Sequence, residues 1–191
     1  MALPRKLKNM NLFNNGASYL GQVVEVTLPK LSRKMEDFRA GGMNAPVQVD
    51  HGMDKLELEF TCGGLMRDVF SQFGAANHDA VMLRFAGAYQ QDDTGDVDAV
   101  EVIVRGRIAE IDGGNSKPGE DTTMKVKMAL SYYRMEWNGN VDVEIDIINM
   151  IERINGFDRL AAQRQAIGGL SGEVGGLLGA AIGIAAGALG I

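Results

Sequence analysis

Reactive side chains are scarce in this chain of 191 residues. It has two histidines, His51 and His78, and one cysteine, Cys62. An enzyme needs converging reactive groups. His51 has Asp50 and Asp54 nearby and His78 has Asp79, but neither has a second His or Cys at metal-ligand spacing. Both therefore read as surface or turn residues. Cys62 ends an apolar run before Gly63-Gly64 and reads as a buried, inert thiol. The stretch DDTGDVD, residues 92–98, resembles a calcium loop only superficially. An EF-hand loop needs glycine at its sixth position, where Val97 stands. A solvated hairpin tip is the better reading. G-x-S-x-G, Walker A and G-x-G-x-x-G patterns are all missing from the sequence. The expectation is a protein that is not an enzyme and holds no cofactor or metal.

The elements that would position any site are mostly strands. Leu56, Leu58 and Phe60 alternate with Glu57 and Glu59, and Val141, Val143, Ile145 and Ile147 with Asp142, Glu144 and Asp146. Period two marks half-buried strands. Residues 99–111 form a further β-branched run. Met124, Val126, Met128 and Leu130 share one face, and beyond Tyr132-Tyr133 the apolar positions shift by one, which predicts a bulge or bend. Asn138-Gly139 is a type I′ hairpin signal, so 124–137 should pair with 140–148. Residues 92–96 should join a strand over 80–91 to one over 97–111, residues 112–121 form a longer loop, and a strand over 18–28 ends at Pro29. One apolar helical stripe runs through residues 65–73, closed by Gly74, and a short helix is expected over 158–167. Residues 32–50 fit neither period and read as a long functional loop. The sum is a mainly β sandwich or barrel with a packed helix.

Composition narrows the partners. Nineteen Lys and Arg against 25 Asp and Glu give a net charge of −6 and argue against tight binding of a phosphate backbone. The basic run Arg5, Lys6, Lys8 reads as a solvated N-terminus. One cysteine excludes an intrachain disulfide and suits a reducing compartment. The N-terminus has no apolar h-region, so no secretory signal is expected. The eleven methionines are scattered and read as adaptable packing. What remains is a set of strand carboxylates, Glu57, Glu59, Asp142, Glu144 and Asp146. They read either as an ordinary solvated face or as a surface of deliberate negative potential.

Two long stretches, NMNLFNNGASYLGQVVEVTLPKL and EDFRAGGMNAPVQVDHGMDKLELEFTCGG, carry a resemblance, as does SYYRMEWNGNVDVEIDIINMIERINGFDRLAAQRQAIG. The chain resembles the major tail tube proteins of contractile-tailed phages and the related tubes of R-type bacteriocins, over residues 1–168. The resemblance implies a β-sandwich with a flanking helix, assembled as homohexameric rings stacked into a tube. Strands of all six subunits would then join one inner barrel. It implies a rigid tube inside a contractile sheath, a virion tail component assembled in the bacterial host cytoplasm. Its partners would be the tail sheath protein, the tape measure protein, the baseplate and the tail terminator. DNA would meet it only in passage through the lumen during ejection. The tube of a headless tailocin or of a type VI-like secretion system is the alternative. By the same resemblance, the loop holding Arg39, Gly41, Gly42 and Met43 contacts a neighbouring subunit or ring, Gly41 and Gly42 permitting positive φ or close approach. Some of the five carboxylates would face the lumen, where negative potential lets DNA slide without sticking.

The resemblance stops near residue 168, dividing the chain into a tube domain, 1–167, and a Gly/Ala-rich extension, 168–191. Residues 174–191 read VGGLLGAAIGIAAGALGI, with glycines at 175, 179, 183 and 187 at helical i, i+4 spacing. Eighteen helical residues would span about 27 Å, close to a bilayer core. Only seven of them are larger than alanine and no Lys or Arg follows, so the expectation is an appendage and not a stable membrane insertion.

Overall fold

The computed structural model describes residues 3–168. Beyond Gly168, the extension expected over 168–191 lies outside the described residues. In chain order the elements are β1 (Lys6–Asn14), β2 (Ala17–Ser18), β3 (Val23–Thr27), β4 (Arg33–Phe38), β5 (Val47–Met53), β6 (Leu56–Cys62), α1 (Arg67–Ser71), β7 (Val81–Gln90), β8 (Val97–Asp112), β9 (Met124–Trp137), β10 (Asn140–Asp146), β11 (Ile151–Ile154), β12 (Phe157–Asp158) and α2 (Ala161–Ala166). Ten of these strands form one antiparallel sheet, and β4 and β5 stand apart as a two-stranded hairpin.

The sheet is organised by its two longest strands. β8 and β9 pair along almost their whole length, and β9 uses its other edge twice. Its first half pairs with β6, which pairs in turn with β3; its second half pairs with β10, followed by β11 and β12. On the far side β8 pairs with β7, and β7 with β1. The two branches share one core. Leu56, Leu58, Phe60 and Cys62 of β6 and Met124, Val126 and Met128 of β9 pack with Leu83 and Phe85 of β7, Val102 and Val104 of β8, and Leu12 of β1. Strict alternation in β6 puts every second side chain into that core, because successive Cβ atoms point to opposite faces.

The expected slip in β9 falls at Ser131. Arg105 stands opposite Tyr132 while Gly106 stands opposite Leu130, leaving Ser131 as the extra residue. Glycine is needed at 106, since a Cβ there would sit 2.2 Å from the Ala129 carbonyl oxygen. The β9–β10 hairpin turns at Asn138 (φ 48) and Gly139 (φ 81), the type I′ signature. The turn is bolted to β8: the Ala99 N–H donates to Asn138 Oδ1 (2.9 Å), and Asn138 Nδ2 donates to Asp98 Oδ1 (3.0 Å).

Three expectations change. The strand expected over 18–28 is broken at a turn containing Gly21 (φ 79), so only Val23–Thr27 joins β6. The helix expected over 65–73 is the short α1, which ends at Ser71 with Gln72 as its C-cap, and Gly74 (φ 77) lies in the turn beyond. Its stripe is not buried: Val69 is fully covered, but Leu65, Phe70 and Phe73 are 60%, 47% and 56% exposed. The loop expected over 32–50 is largely the β4–β5 hairpin. Its alternation was hard to read because every residue of β4 is exposed. No single burial pattern had to be written into it.

Candidate assembly surfaces

The reactive residues do not converge. His78 Nδ1 lies 3.2 Å from the Ser131 hydroxyl at the bulge, and His51 Nε2 lies 3.7 Å from Glu36 on the hairpin. Cys62 is buried, and desolvation pushes its thiol up to about 11. Among the described residues no group of three or more His, Cys, Asp or Glu could hold a metal ion.

The hairpin is the first candidate surface. Phe38 stands opposite Val47 and Glu36 opposite Val49, so Phe38, Val47 and Val49 share one face. Met35, Asp37, Gln48 and Asp50 occupy the other. The three apolar residues are 55%, 49% and 41% exposed. A lone two-stranded hairpin is at best marginally stable in water. This one is tied to the body at its base: Arg33 Nη1 donates to both oxygens of Glu152 on β11 (2.8 and 3.0 Å), and Arg33 Nε pairs with Asp50. The Gly52 N–H, followed by Arg33, holds the Asp50 carboxyl below its usual range. At the tip, the Met43 N–H donates to the Ala40 carbonyl (3.2 Å) and Arg39 Nε donates to the Met43 carbonyl (3.4 Å). Gly42 has φ +88, where glycine is favoured, whereas Gly41 is not in that region. No local pattern marks the Arg33–Glu152 anchor, because its partners are 119 positions apart.

The five carboxylates all point away from the core, in two groups. Glu57 and Glu59 project from β6 beside Lys127, which lies opposite Glu59. Glu57 pairs with Lys55 (2.8 Å) and Lys127 (3.3 Å), and its hydrogen bond with Lys55 above all holds its carboxyl low. Glu144 of β10 accepts from the Tyr132 hydroxyl (2.9 Å) and pairs with Arg153 (3.0 Å). Asp146 accepts from the Asn149 backbone and side chain (2.9 and 2.7 Å). Asp142 lies where the β9–β10 register shifts, between Val141 and Val143. The β10 row continues into a charge mosaic absent from the sequence reading. Arg84 pairs with Glu101 (3.2 Å) and stacks over Phe13 (4.1 Å), and Arg134 pairs with Glu136 (2.6 Å). Arg84 and Glu101 sit on neighbouring strands, so only register reveals that pair, whereas Arg134 and Glu136 share one face of β9.

The sheet also has open edges. β1 pairs with β7 from Lys6 to Asn14, but on its other side β2 reaches only Phe13 and Asn14. β3 pairs on one side only, with β6. Unpaired edges invite another strand.

The described residues form a β-sandwich with open strand edges and an exposed hairpin that stands apart from the main sheet. The family model for phage tail tube protein FII matches residues 4–168, and the chain belongs to that family. It is 52% identical over 171 residues to the tail tube protein of Escherichia phage P2, covering 88% of this chain and 99% of that one. It is 36% identical over 158 residues to the major tail tube protein of Serratia phage KSP20, covering 82% and 91%. Among solved structures, the sheath–tube complex of the extracellular contractile injection system PVC matches with a TM-score of 0.53 at 8% identity, covering 70% of this chain and 91% of that chain. The tube-terminating cap of the anti-feeding prophage matches with a TM-score of 0.53 at 7% identity, covering 71% and 94%. These two likenesses are of fold. The resemblance seen in the sequence is thereby borne out.

Proposed function

We propose that this chain is the structural subunit of the rigid inner tube of a contractile phage tail, with no enzymatic role. Its copies form homohexameric rings that stack, and the lumen conducts DNA during ejection. The observation that carries this reading is the hairpin. It exposes Phe38, Val47 and Val49 on a face that the described residues of its own subunit leave open, as a segment must if its partner is another copy. Contacts between two different patches of one chain generate rings and open stacks. The tip residues Arg39, Gly41, Gly42 and Met43 contact the neighbouring subunit or ring, with Gly42 supplying the tight turn. The open edges of β1 and β3 supply strands for pairing between subunits. Some of Glu57, Glu59, Asp142, Glu144 and Asp146 face the lumen. Their cationic neighbours make that wall a balanced mosaic with a net negative bias, in keeping with a charge of −6 per chain.

The sheath surrounds the tube, the tape measure protein occupies its lumen before DNA, and the baseplate and terminator close its ends. Assembly takes place in the host cytoplasm and the product is part of the virion tail. Both curated relatives are phage proteins, which favours a DNA-conducting tail over a headless tailocin or secretion tube. Among the described residues no helix is long and apolar enough to cross a membrane. Negative-stain microscopy of the purified protein tests the proposal. Hollow tubes or six-fold rings are expected; a protein that stays monomeric at high concentration would overturn it.

A further inference from the structure

The β4–β5 hairpin carries a bulge at its neck. Arg33 stands opposite Met53 and Met35 opposite Asp50, so His51 and Gly52 of β5 face the single Lys34 of β4. A bulge of this kind bends its strand. Gly52, at φ +100, takes the backbone conformation that the bend requires. Asp50 spans the bulge with both oxygens. Its Oδ1 accepts from the Gly52 N–H (2.8 Å), and its Oδ2 pairs with Arg33 Nε. The far end of the same guanidinium reaches the main sheet, where Nη1 donates to both oxygens of Glu152 (2.8 and 3.0 Å). Glu152 lies on β11 opposite Ile145 of β10 and is 5% exposed. Its carboxylate is a fixed point on the body of the subunit. A planar guanidinium held between two carboxylates fixes direction as well as charge.

The other contacts at the neck are of two kinds. Ser32 and Asp54 close the neck on itself: the Ser32 hydroxyl donates to Asp54 Oδ2 (3.1 Å), and the Asp54 N–H donates to the Ser32 carbonyl (3.0 Å). Half-buried Met53 packs against the core. All of β4 and residues 47–51 of β5 are exposed. Among the described residues, Arg33–Glu152 is the polar link between these two strands and the ten-stranded sheet. The hairpin is also a long lever. Phe38 is five residues beyond Arg33. At about 3.4 Å per residue, that is about 17 Å along the strand. A swing of about 20° at the neck would carry Phe38 by about 6 Å, more than the spacing of roughly 4.8 Å between paired strands.

We propose that Arg33 and Glu152 form a joint that aims the hairpin, holding it across the bulge at the angle at which it engages a neighbouring copy. The assembly half of this inference rests on the tube reading; the joint itself belongs to a single subunit. The test uses the double variant Arg33→Ala, Glu152→Gln, which leaves no lone charge in the buried site. The first readout is a pair of spin labels on the full, unassembled chain, at Ala45→Cys near the hairpin tip and Ala109→Cys on β8; Cys62 is buried and stays unlabelled. The expected result is one narrow distance distribution with the native pair and a broad one in the double variant. Hydrogen exchange at residues 35–38 and 47–50 should quicken at least about tenfold, with β8 and β9 unchanged. In the unlabelled proteins, the concentration at which tubes form should rise at least about tenfold. An unchanged distance distribution in the double variant would overturn the joint. So would equally faster exchange in β8 and β9, since the pair would then support the whole fold. A broadened distribution with tubes forming at the wild-type concentration would overturn the role of the angle in assembly. A wild-type protein that forms no tubes would instead overturn the tube reading, and the distances would still decide the joint.

Discussion

Replacing Phe38 with serine separates the fold of the subunit from the assembly of the tube. Phe38 lies on the apolar face of the hairpin with 55% of its surface in water, and the described body of its own chain covers little of it. If a neighbouring copy takes that face, the exposed part, about 100 Å², leaves water on assembly. With roughly 200 Å² for a whole phenylalanine and about 25 cal/mol per Å², this is worth about 2–3 kcal/mol per contact. A factor of ten corresponds to about 1.4 kcal/mol, so the F38S contact should weaken on the order of 50-fold. The subunit itself should scarcely change, because exposed substitutions usually alter stability by less than about 0.5 kcal/mol. The assay pairs two measurements on the same sample: sedimentation for the concentration at which tubes form, and thermal unfolding of the unassembled subunit. The expected outcome is a large rise in assembly concentration with an unchanged melting temperature. F38S that assembles at the wild-type concentration would refute the reasoning. So would a subunit that melts many degrees lower, since Phe38 would then support its own fold.

Gly106→Ala should destabilise the subunit by about 1–3 kcal/mol or prevent folding, because the new methyl meets the Ala129 carbonyl oxygen 2.2 Å away and backbone must move; a melting curve like that of the wild type would contradict the register of the β8–β9 bulge. Acid should unfold the protein through its paired carboxylates. Asp50 is held low by the Gly52 N–H and then Arg33, Glu57 by Lys55, and Asp98 by Asn138, while at Asp158 burial pushes upward and is outweighed by Arg164 and backbone N–H groups. A depressed folded value means that the stabilisation is complete above the unfolded carboxylate range near pH 4 and is lost as pH falls through the lower folded values. Melting temperatures should hold from pH 7 to about 5 and fall below that; a flat profile down to pH 3 would show that these pairs contribute nothing. Cys62, buried and raised to about 11, should resist a thiol reagent at pH 8 in the folded protein and react on unfolding; rapid labelling of the native protein would place it at the surface.

The legible parts of this chain were those where one face of an element meets a core. In β6, Leu56, Leu58, Phe60 and Cys62 all point inward, so the pattern in the letters is the pattern in space. The Asn138-Gly139 turn was equally plain, because few residues tolerate two successive positive φ values. The slip in β9 showed as a change of apolar phase, although it falls at Ser131 and not beyond Tyr133. The hairpin was hidden for the opposite reason. Among the described residues its strands meet no core, so no burial pattern constrains the spacing of Phe38, Val47 and Val49. The stripe through α1 showed the reverse difficulty. Leu65, Phe70 and Phe73 have the spacing of a buried face, yet among the described residues of the stripe Val69 is covered, Met66 is half-buried and these three stay exposed.

The sequence by itself determined the core strands, the principal turns and the family. All of these are carried by local periodicity, backbone preference or recognisable stretches of residues. Tertiary structure alone decided which charges meet. Arg33 finds Glu152 across 119 positions, Arg84 finds Glu101 on the next strand, and Glu144 finds Arg153 across a turn. The physical reason is register: a single-residue slip turns every side chain of a strand to the other face, and register follows from how whole strands pair and share one core.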